Sequence, residues 1–236
     1  MSQRSPSRRH PISDREVFKM AHSARNPADS IPPVIVESDL MKRGGFEVFE
    51  GLIGTNTRNE MLSEALALLP DATDCEVQIP DGEEGRGGMP RRRFANARGG
   101  TLQQAFNTAQ WLLDFLRGLT NPALIYTGEV GTYSYYLRAG DHLDIHRDIV
   151  TCDVAVITCL YDDTPVDQDG GRLCLYPERY LEPLSMIRGR PEQGGVKIRL
   201  DIGQTIVMYG GIIPHALLPL AEGQTRIVSV LCFKAL

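Results

Sequence analysis

Residues 140–148, GDHLDIHRD, bring two histidines and three aspartates into nine positions. Two pairs of equal spacing overlap there, His142 with Asp144 and His146 with Asp148. In an extended chain residues i and i+2 point to one side, so either pair can offer an imidazole nitrogen and a carboxylate oxygen to a single cation. A third ligand has to come from elsewhere. His10 and His22 fall within residues 1–33, which are rich in Ser, Arg and Pro, lack apolar periodicity and are expected to form a flexible tail. Outside the two pairs, that leaves His215. Two imidazoles and a carboxylate on one face of an octahedron keep three positions open, a donor set suited to non-haem iron(II). His142 and His146 are also spaced as on a zinc-protease helix, but that motif needs Glu directly after the first histidine. Leu143 stands there, and Gly140 opposes a helix.

Short strands are expected to hold these residues. From Gly131 onward the chain is rich in Tyr, Val, Ile, Cys and Leu, punctuated by Gly, Asp and Pro, with strands predicted at 131–138, 153–161, 172–176, 196–200, 204–209 and 225–233. Upstream, GGFEVFEGLIG (44–54) alternates as a half-buried strand does, with Phe46, Val48 and Leu52 facing inward. Capping-box pairs, Thr57 with Glu60 and Thr101 with Gln104, predict two helices. Their apolar stripes are Met61, Leu62, Ala65, Leu66, Leu69 and Leu102, Phe106, Ala109, Leu113, Leu116. Residues 79–100 mix Gly, Pro and both charges and read as a long loop, a length typical of lids and binding loops. Arg91, Arg92 and Arg93 in it can meet an anionic substrate, although a solvated charge run is the plainer reading. Many short strands preceded by two helices imply an α+β, mainly β, domain: a sandwich or barrel with helices buttressing one sheet.

At 236 residues and 42% hydrophobic content, one folded domain over 34–236 is expected. A net charge of −5 argues against nonspecific nucleic-acid binding, which needs a basic face. The uncharged stretch 202–221 carries Gly210, Gly211, Pro214 and Pro219, which break a membrane helix, and no secretory leader is expected at MSQRSPSRRHPISDR. Five cysteines without a CxxC, several inside apolar runs, suggest reduced, buried thiols in a cytoplasmic protein.

In YYLRAGDHLDIHRD, a Tyr-containing strand is followed by Gly140, then Leu143 three residues on, then His146 and Asp148 three and five beyond that. VAVITCLYDD, DGGRLCLYP, IGQTIVMY and PHALLPLAEGQTR follow in order. This succession resembles the catalytic core of the Fe(II)/2-oxoglutarate-dependent dioxygenases, particularly their prolyl-hydroxylase-like branch. GGFEVFEGLIG with its following helix resembles the start of such domains, so the likeness covers about 41–236 and weakens across 70–130.

The resemblance implies a double-stranded β-helix (jelly-roll, cupin-like) with its catalytic core at 131–236. It selects His146 and Asp148 over His142 and Asp144, with His215 as the third ligand of Fe(II). Arg226, following His215 after ten residues, is implied as the anchor for the far carboxylate of 2-oxoglutarate, with Tyr136 as a second cosubstrate contact. The implied reaction consumes 2-oxoglutarate and O2, releases succinate and CO2, and hydroxylates or otherwise oxidises an unactivated C–H bond. Asp148 fills the position that related halogenases leave to chloride. Cys232 stands six residues after Arg226, where nucleic-acid demethylases of the superfamily carry a second arginine, so no nucleic-acid substrate is expected. Tyr133, Tyr135, Tyr136, Arg138, Arg147 and Arg172 are available to a substrate pocket; Arg172, after DGG, is the first choice for a substrate carboxylate, with Arg138 and His142 beside it. A small metabolite is the expected substrate, an amino acid or natural-product intermediate. A peptidyl residue is the competing class, and a noncatalytic β-helix that binds a ligand is a third reading.

Overall fold

The computed structural model describes residues 31–80, 84–120, 124–165 and 167–235. Most of the expected tail, residues 1–30, lies outside them, but Pro33 already opens a short helix, α1 (Pro33–Val36). In chain order there follow α2 (Asp39–Lys42), β1 (Phe46–Phe49), α3 (Thr55–Leu68), β2 (Thr73–Val77), β3 (Arg92–Arg98), α4 (Thr101–Asn107), α5 (Gln110–Leu119), β4 (Ile125–Tyr126), β5 (Thr132–Tyr136) and β6 (His142–His146). The chain continues with β7 (Val154–Asp162), β8 (Leu173–Leu175), α6 (Leu184–Arg188), β9 (Val196–Ile198), β10 (Thr205–Met208), β11 (His215–Leu217) and β12 (Arg226–Lys234).

Among the described residues twelve strands form one antiparallel sheet in the order β1-β10-β7-β12-β5-β3-β6-β11-β8-β9, with β2 on β3 and β4 on β12. The sheet folds over where β3 meets β6, a contact of only two residue pairs, Arg92 with Leu143 and Arg93 with His142. The larger half, β1 to β3, then faces the smaller half, β6 to β9, and side chains of both halves line the space between them. This is the double-stranded β-helix.

Alternation along β5 sorts its side chains between two environments. Ser134 and Tyr136 face the interior between the halves, whereas the Tyr133 and Tyr135 hydroxyls donate to Glu64 Oε2 (2.6 Å) and Ala65 O (2.7 Å) on α3. Helix α3 packs against β7 and β12. On the smaller half, Ile145, Cys174 and Ala216 point outward and are covered by Tyr176, Leu184 and Ile187. Helices therefore buttress both halves, not one sheet as expected, because a two-sided sheet with an apolar outer face must be covered on each side.

Neither capping box forms. Helix α3 starts at Thr55 behind Gly54, and the amides at the start of α4 are capped from a distance: Leu102 N and Gln103 N donate to the Glu64 carboxylate at 2.7 and 3.0 Å. The second predicted helix is two, α4 and α5, broken at Thr108–Ala109 and burying Phe106, Leu112 and Leu116. Residues 92–98, expected as loop, are a strand in the middle of the sheet. Its charges escape notice in the sequence because the partner of Arg93 is the buried Asp141, 2.8 Å away and 48 residues on. The cysteines also need correction. Cys152 and Cys232 form a disulfide across β12 and the turn before β7, where the Cα atoms stand 4.8 Å apart, within bridging range, and Cys75 is only half buried. Among the described residues no helix is long and apolar enough to cross a membrane.

The Glu64 carboxylate is held below its ordinary pKa: burial opposes this, but the hydrogen bonds from Tyr133 and the α4 amides outweigh it. Glu64→Ala should lower unfolding free energy by about 1–3 kcal/mol in urea melts, because the Tyr133 hydroxyl and the α4 amides lose their acceptor. An unchanged midpoint would remove Glu64 from the account of how α3 is tied to the sheet.

Candidate metal centre and ligand cavity

His146 ends β6 and His215 opens β11, and the two are direct cross-strand partners. Their rings lie 4.3 Å apart between centroids. Asp148 follows two residues after His146, and its Oδ1 is 3.5 Å from His146 Nε2 and 3.6 Å from His215 Nε2. One ligand atom from each of the three falls within 4.8 Å of the others, the one such group of His, Cys, Asp or Glu among the described residues.

Each imidazole is aimed by its backbone. His146 Nδ1 lies 2.9 Å from Asp144 O and His215 Nδ1 lies 2.9 Å from Ile213 O. A carbonyl can only accept, so each Nδ1 carries the proton and each Nε2 lone pair is left facing Asp148. Asp148 is held through its backbone, whose N–H donates to Gly210 O at 2.8 Å. Its carboxylate occupies space that any side chain at 210 would fill, since a Cβ there would lie 1.9 Å from Oδ2. Arg86 straps the following turn, donating to the carbonyls of Asp148 (3.2 Å) and Cys152 (2.7 Å) and pairing with Asp153.

The spacing of Leu143 and His146 has a structural cause. Residues three apart cannot share a face of a regular strand, yet both line the cavity. The β6–β11 register shifts between Leu143↔Leu217 and His146↔His215, so β6 carries one extra residue, a bulge that turns both side chains inward.

The cavity holds about 110 Å³ and is walled by Leu143, Leu173 and Leu217 from one half and by Ile157, Val228 and Val230 from the other. Arg226 lies in its wall, 1% exposed. Its Nη1 pairs with Asp162 on the neighbouring strand, while Nε and Nη2 are buried without any hydrogen-bond partner. Those two nitrogens form one edge of the guanidinium, the fork that fits a carboxylate in bidentate fashion. Leaving such charged donors unpaired costs more than the roughly 1–3 kcal/mol of a neutral group, so the edge favours an anionic ligand. Tyr136 stands across from Arg226 in the register, and burial pushes its phenol well above the ordinary range despite the pull of Arg226. It stays a proton donor at neutral pH. Phe94 packs on Tyr136 with ring centroids 5.2 Å apart.

The structure thus gathers His146, Asp148, His215, Arg226 and Tyr136 around one cavity. The other residues raised from the sequence lie outside it. His142 faces an outer groove with Asp144, its Nδ1 2.8 Å from Gly140 O. Arg138 bonds to Asp74 and Asp141, Arg172 reaches Gln168 O at 3.1 Å, and Arg147 is clamped by the carbonyls of Ile212, Glu84, Tyr180 and Glu182. Gly210, Phe94, Ser134 and Asp162 were missed. Of these only Gly210 left a trace, as half of a Gly-Gly pair just before Pro214 and His215.

Fold and site together define the class: a double-stranded β-helix of the kind found in Fe(II)/2-oxoglutarate oxygenases, with two histidines and an aspartate converging beside its cavity. No protein-family model matches the chain and no curated protein matches it in sequence, so the likeness is one of structure. Among solved structures it is similar to a prolyl hydroxylase from Trichoplax adhaerens in complex with a hypoxia inducible factor oxygen degradation domain peptide, at TM-score 0.58 and 18% identity, covering 95% of this chain and 94% of that one. It is similar to the non-heme alpha-ketoglutarate-dependent epimerase SnoN from nogalamycin biosynthesis, at TM-score 0.60 and 15% identity, covering 92% and 82%. HygX from Streptomyces hygroscopicus, solved with nickel and 2-oxoglutarate, gives TM-score 0.59 and 14% identity, covering 87% and 88%.

Burial disfavours the protonated form of both site imidazoles. At His215 the Asp148 carboxylate outweighs it and the pKa is raised; at His146 burial, helped by the charge of His215, wins and the pKa is lowered. In the metal-free protein, NMR titration should therefore find His215 above and His146 below the ordinary imidazole value, and Asp148→Asn should lower His215. Two rings that titrate together near that ordinary value would contradict this placement of the carboxylate.

Proposed function

We propose that this protein is a non-haem Fe(II)- and 2-oxoglutarate-dependent oxygenase that hydroxylates, or otherwise oxidises, an unactivated C–H bond of a small metabolite. The support is one coincidence of geometry: a His146–Asp148–His215 cluster shares a small apolar cavity with a buried guanidinium edge that has no partner. Those groups are the donors that a divalent metal and a carboxylate would take.

The donor set fits the ion. Two neutral imidazole nitrogens and a carboxylate oxygen suit a divalent first-row metal and leave positions open for ligands. Bound there, iron(II) supplies the centre at which 2-oxoglutarate and O2 react to give succinate, CO2 and an oxidised C–H bond. The remaining work falls to the chain. His146 and His215 would hold the ion through Nε2 atoms already aimed by their Nδ1 hydrogen bonds, and Asp148 through its carboxylate. Arg226 takes the far carboxylate of the cosubstrate on its Nε–Nη2 edge, kept in orientation by Asp162, and the protonated Tyr136 phenol is available as a further donor. The leucine and valine walls exclude water from the space between, which strengthens both contacts. A peptidyl residue remains the competing substrate class, and the Trichoplax neighbour is a protein solved with such a peptide.

Anaerobic addition of Fe(II) and then 2-oxoglutarate should produce the weak visible charge-transfer absorption of the chelate. Asp148→Ala and Gly210→Ala should each abolish it, the first by removing a ligand and the second by displacing one. No absorption in the wild type, with iron bound, would exclude 2-oxoglutarate chelation.

Arg226→Lys keeps a cation beside Asp162 but loses the fork, so it should raise the 2-oxoglutarate concentration for half-saturation about tenfold or more, with iron affinity unchanged. Equal loss for both ligands would point to misfolding or to a different anchor.

A further inference from the structure

Arginines crowd the β3–β6 side of the molecule, and nearly all are committed. Arg91 pairs with Asp144 at 3.3 Å, Arg93 with Asp141 at 2.8 Å, and Arg138 with Asp74 at 3.0 Å. Arg92 differs. Among the described residues no carboxylate pairs with it; its Nη2 touches Met89 Sδ at 3.8 Å, and its Nε is buried without a partner.

The register fixes which way Arg92 faces. On β3 it lies two residues from Phe94, and across the ladder it stands directly opposite Leu143 on β6. Side chains two apart on a strand, and those directly opposite in an antiparallel pair, share a face. Phe94 lines the ligand cavity, and Leu143 stands between that cavity and the outer groove, lining both. Arg91 and Arg93 alternate to the other side, with Asp144 and His142 of the outer groove. Arg92 is therefore the one member of the triple arginine on the same strand face as Phe94; it does not itself line the cavity but stands next to two residues that do, at the fold between the two halves.

We propose that Arg92 binds the carboxylate of the primary substrate, which makes that substrate a small organic acid. The inference rests on the oxygenase reading above. On that reading Arg226 takes one carboxylate, that of the cosubstrate, and it is the one Lys or Arg in the cavity lining, so no second cation there is left for another anion. A guanidinium with a desolvated, unpaired N–H beside that wall offers charge, bidentate geometry and an incomplete set of hydrogen bonds. A neutral oxygen could accept from that N–H, but only a carboxylate would also balance the guanidinium's charge and make the stronger, charge-assisted pair.

The test uses full-length protein loaded with Ni(II) and 2-oxoglutarate, which binds without turning over. Equilibrium dialysis or titration calorimetry measures binding of the twenty L-amino acids and their N-acetyl derivatives, each against its neutral amide. At least one acid should bind, and its amide should bind about tenfold or more weakly, as expected for a charge-assisted hydrogen-bond pair. Arg92→Gln should erase that preference, Arg92→Lys should keep part of it, and Arg91→Gln should keep it whole. With Fe(II), Arg92→Gln should raise KM for the acid while kcat changes little. Acid and amide binding alike, no acid binding, or an Arg92→Gln protein that still discriminates would each overturn the assignment. Binding of 2-oxoglutarate itself separates the two levels: retained in every variant without acid discrimination, only the role of Arg92 falls; absent from the wild type, the oxygenase reading falls and this inference with it.

Discussion

One cross-strand pair carries the site. His146 and His215 face each other at the start of the β6–β11 ladder, and the backbone that pairs them also supplies the carbonyls that aim their Nε2 atoms. Two imidazoles at this separation, both almost fully buried, repel as soon as both are protonated. Asp148 is what makes the arrangement tolerable. Its position depends in turn on Gly210, whose missing side chain is the space the carboxylate occupies, and on Arg86, whose guanidinium gathers the carbonyls of the turn that follows.

The rest of the fold can be understood as support for that pair. The larger half is stiffened from outside by α3, through the Tyr133 and Tyr135 hydroxyls, while the inner faces of the same strands present Ser134, Tyr136 and Val228 to the cavity. The smaller half carries the histidines and is backed by Tyr176, Leu184 and Ile187. Arg147, next to His146, alternates away from the cavity and ties β6 to the segments around Ile212 and Tyr180, so the strand that presents one ligand is anchored by its neighbour. The disulfide between Cys152 and Cys232 joins the turn after Asp148 to β12, the strand that carries Arg226. The His146–Asp148–His215 cluster and the Arg226 guanidinium are in this way tied to the same covalent frame.

What could be read from the sequence was whatever is local. The i, i+2 spacing of His146 and Asp148 follows from the two-residue period of a strand, and the apolar runs of β7, β10 and β12 mark strands buried on both faces. Interactions between distant residues could not be read. The strand Arg92–Arg98 passed for a loop because its charge is compensated by an aspartate far along the chain, and the α4 cap comes from Glu64 on another helix rather than from Thr101. Cys152 and Cys232 are 80 residues apart, and only strand pairing brings them within bonding distance. His142, Arg138 and Arg172, the residues suggested for a substrate, do not line the cavity. A strand with a bulge does not advertise which of its neighbours has been turned inward.

The cavity also stores an imbalance. Arg226 is paired on one side with Asp162, while the edge formed by Nε and Nη2 has no partner among the side chains and backbone around it. Asp162 cannot be the whole explanation for a buried arginine, since an apolar pair of similar volume is often as stable as a buried ion pair. What the ion pair does provide is direction. Anchored at Nη1 by a residue on the adjacent strand, the guanidinium cannot rotate its free edge away from the cavity without giving up a buried salt bridge. A ligand that arrives with a carboxylate then meets donors already fixed in place, and little ordering is left to oppose binding. The same logic orders the metal side, where each imidazole is held by its Nδ1 before any ion arrives. The Arg226 end is prepared at the expense of unsatisfied polar atoms, so a ligand that completes it should raise the stability of the fold along with its own affinity.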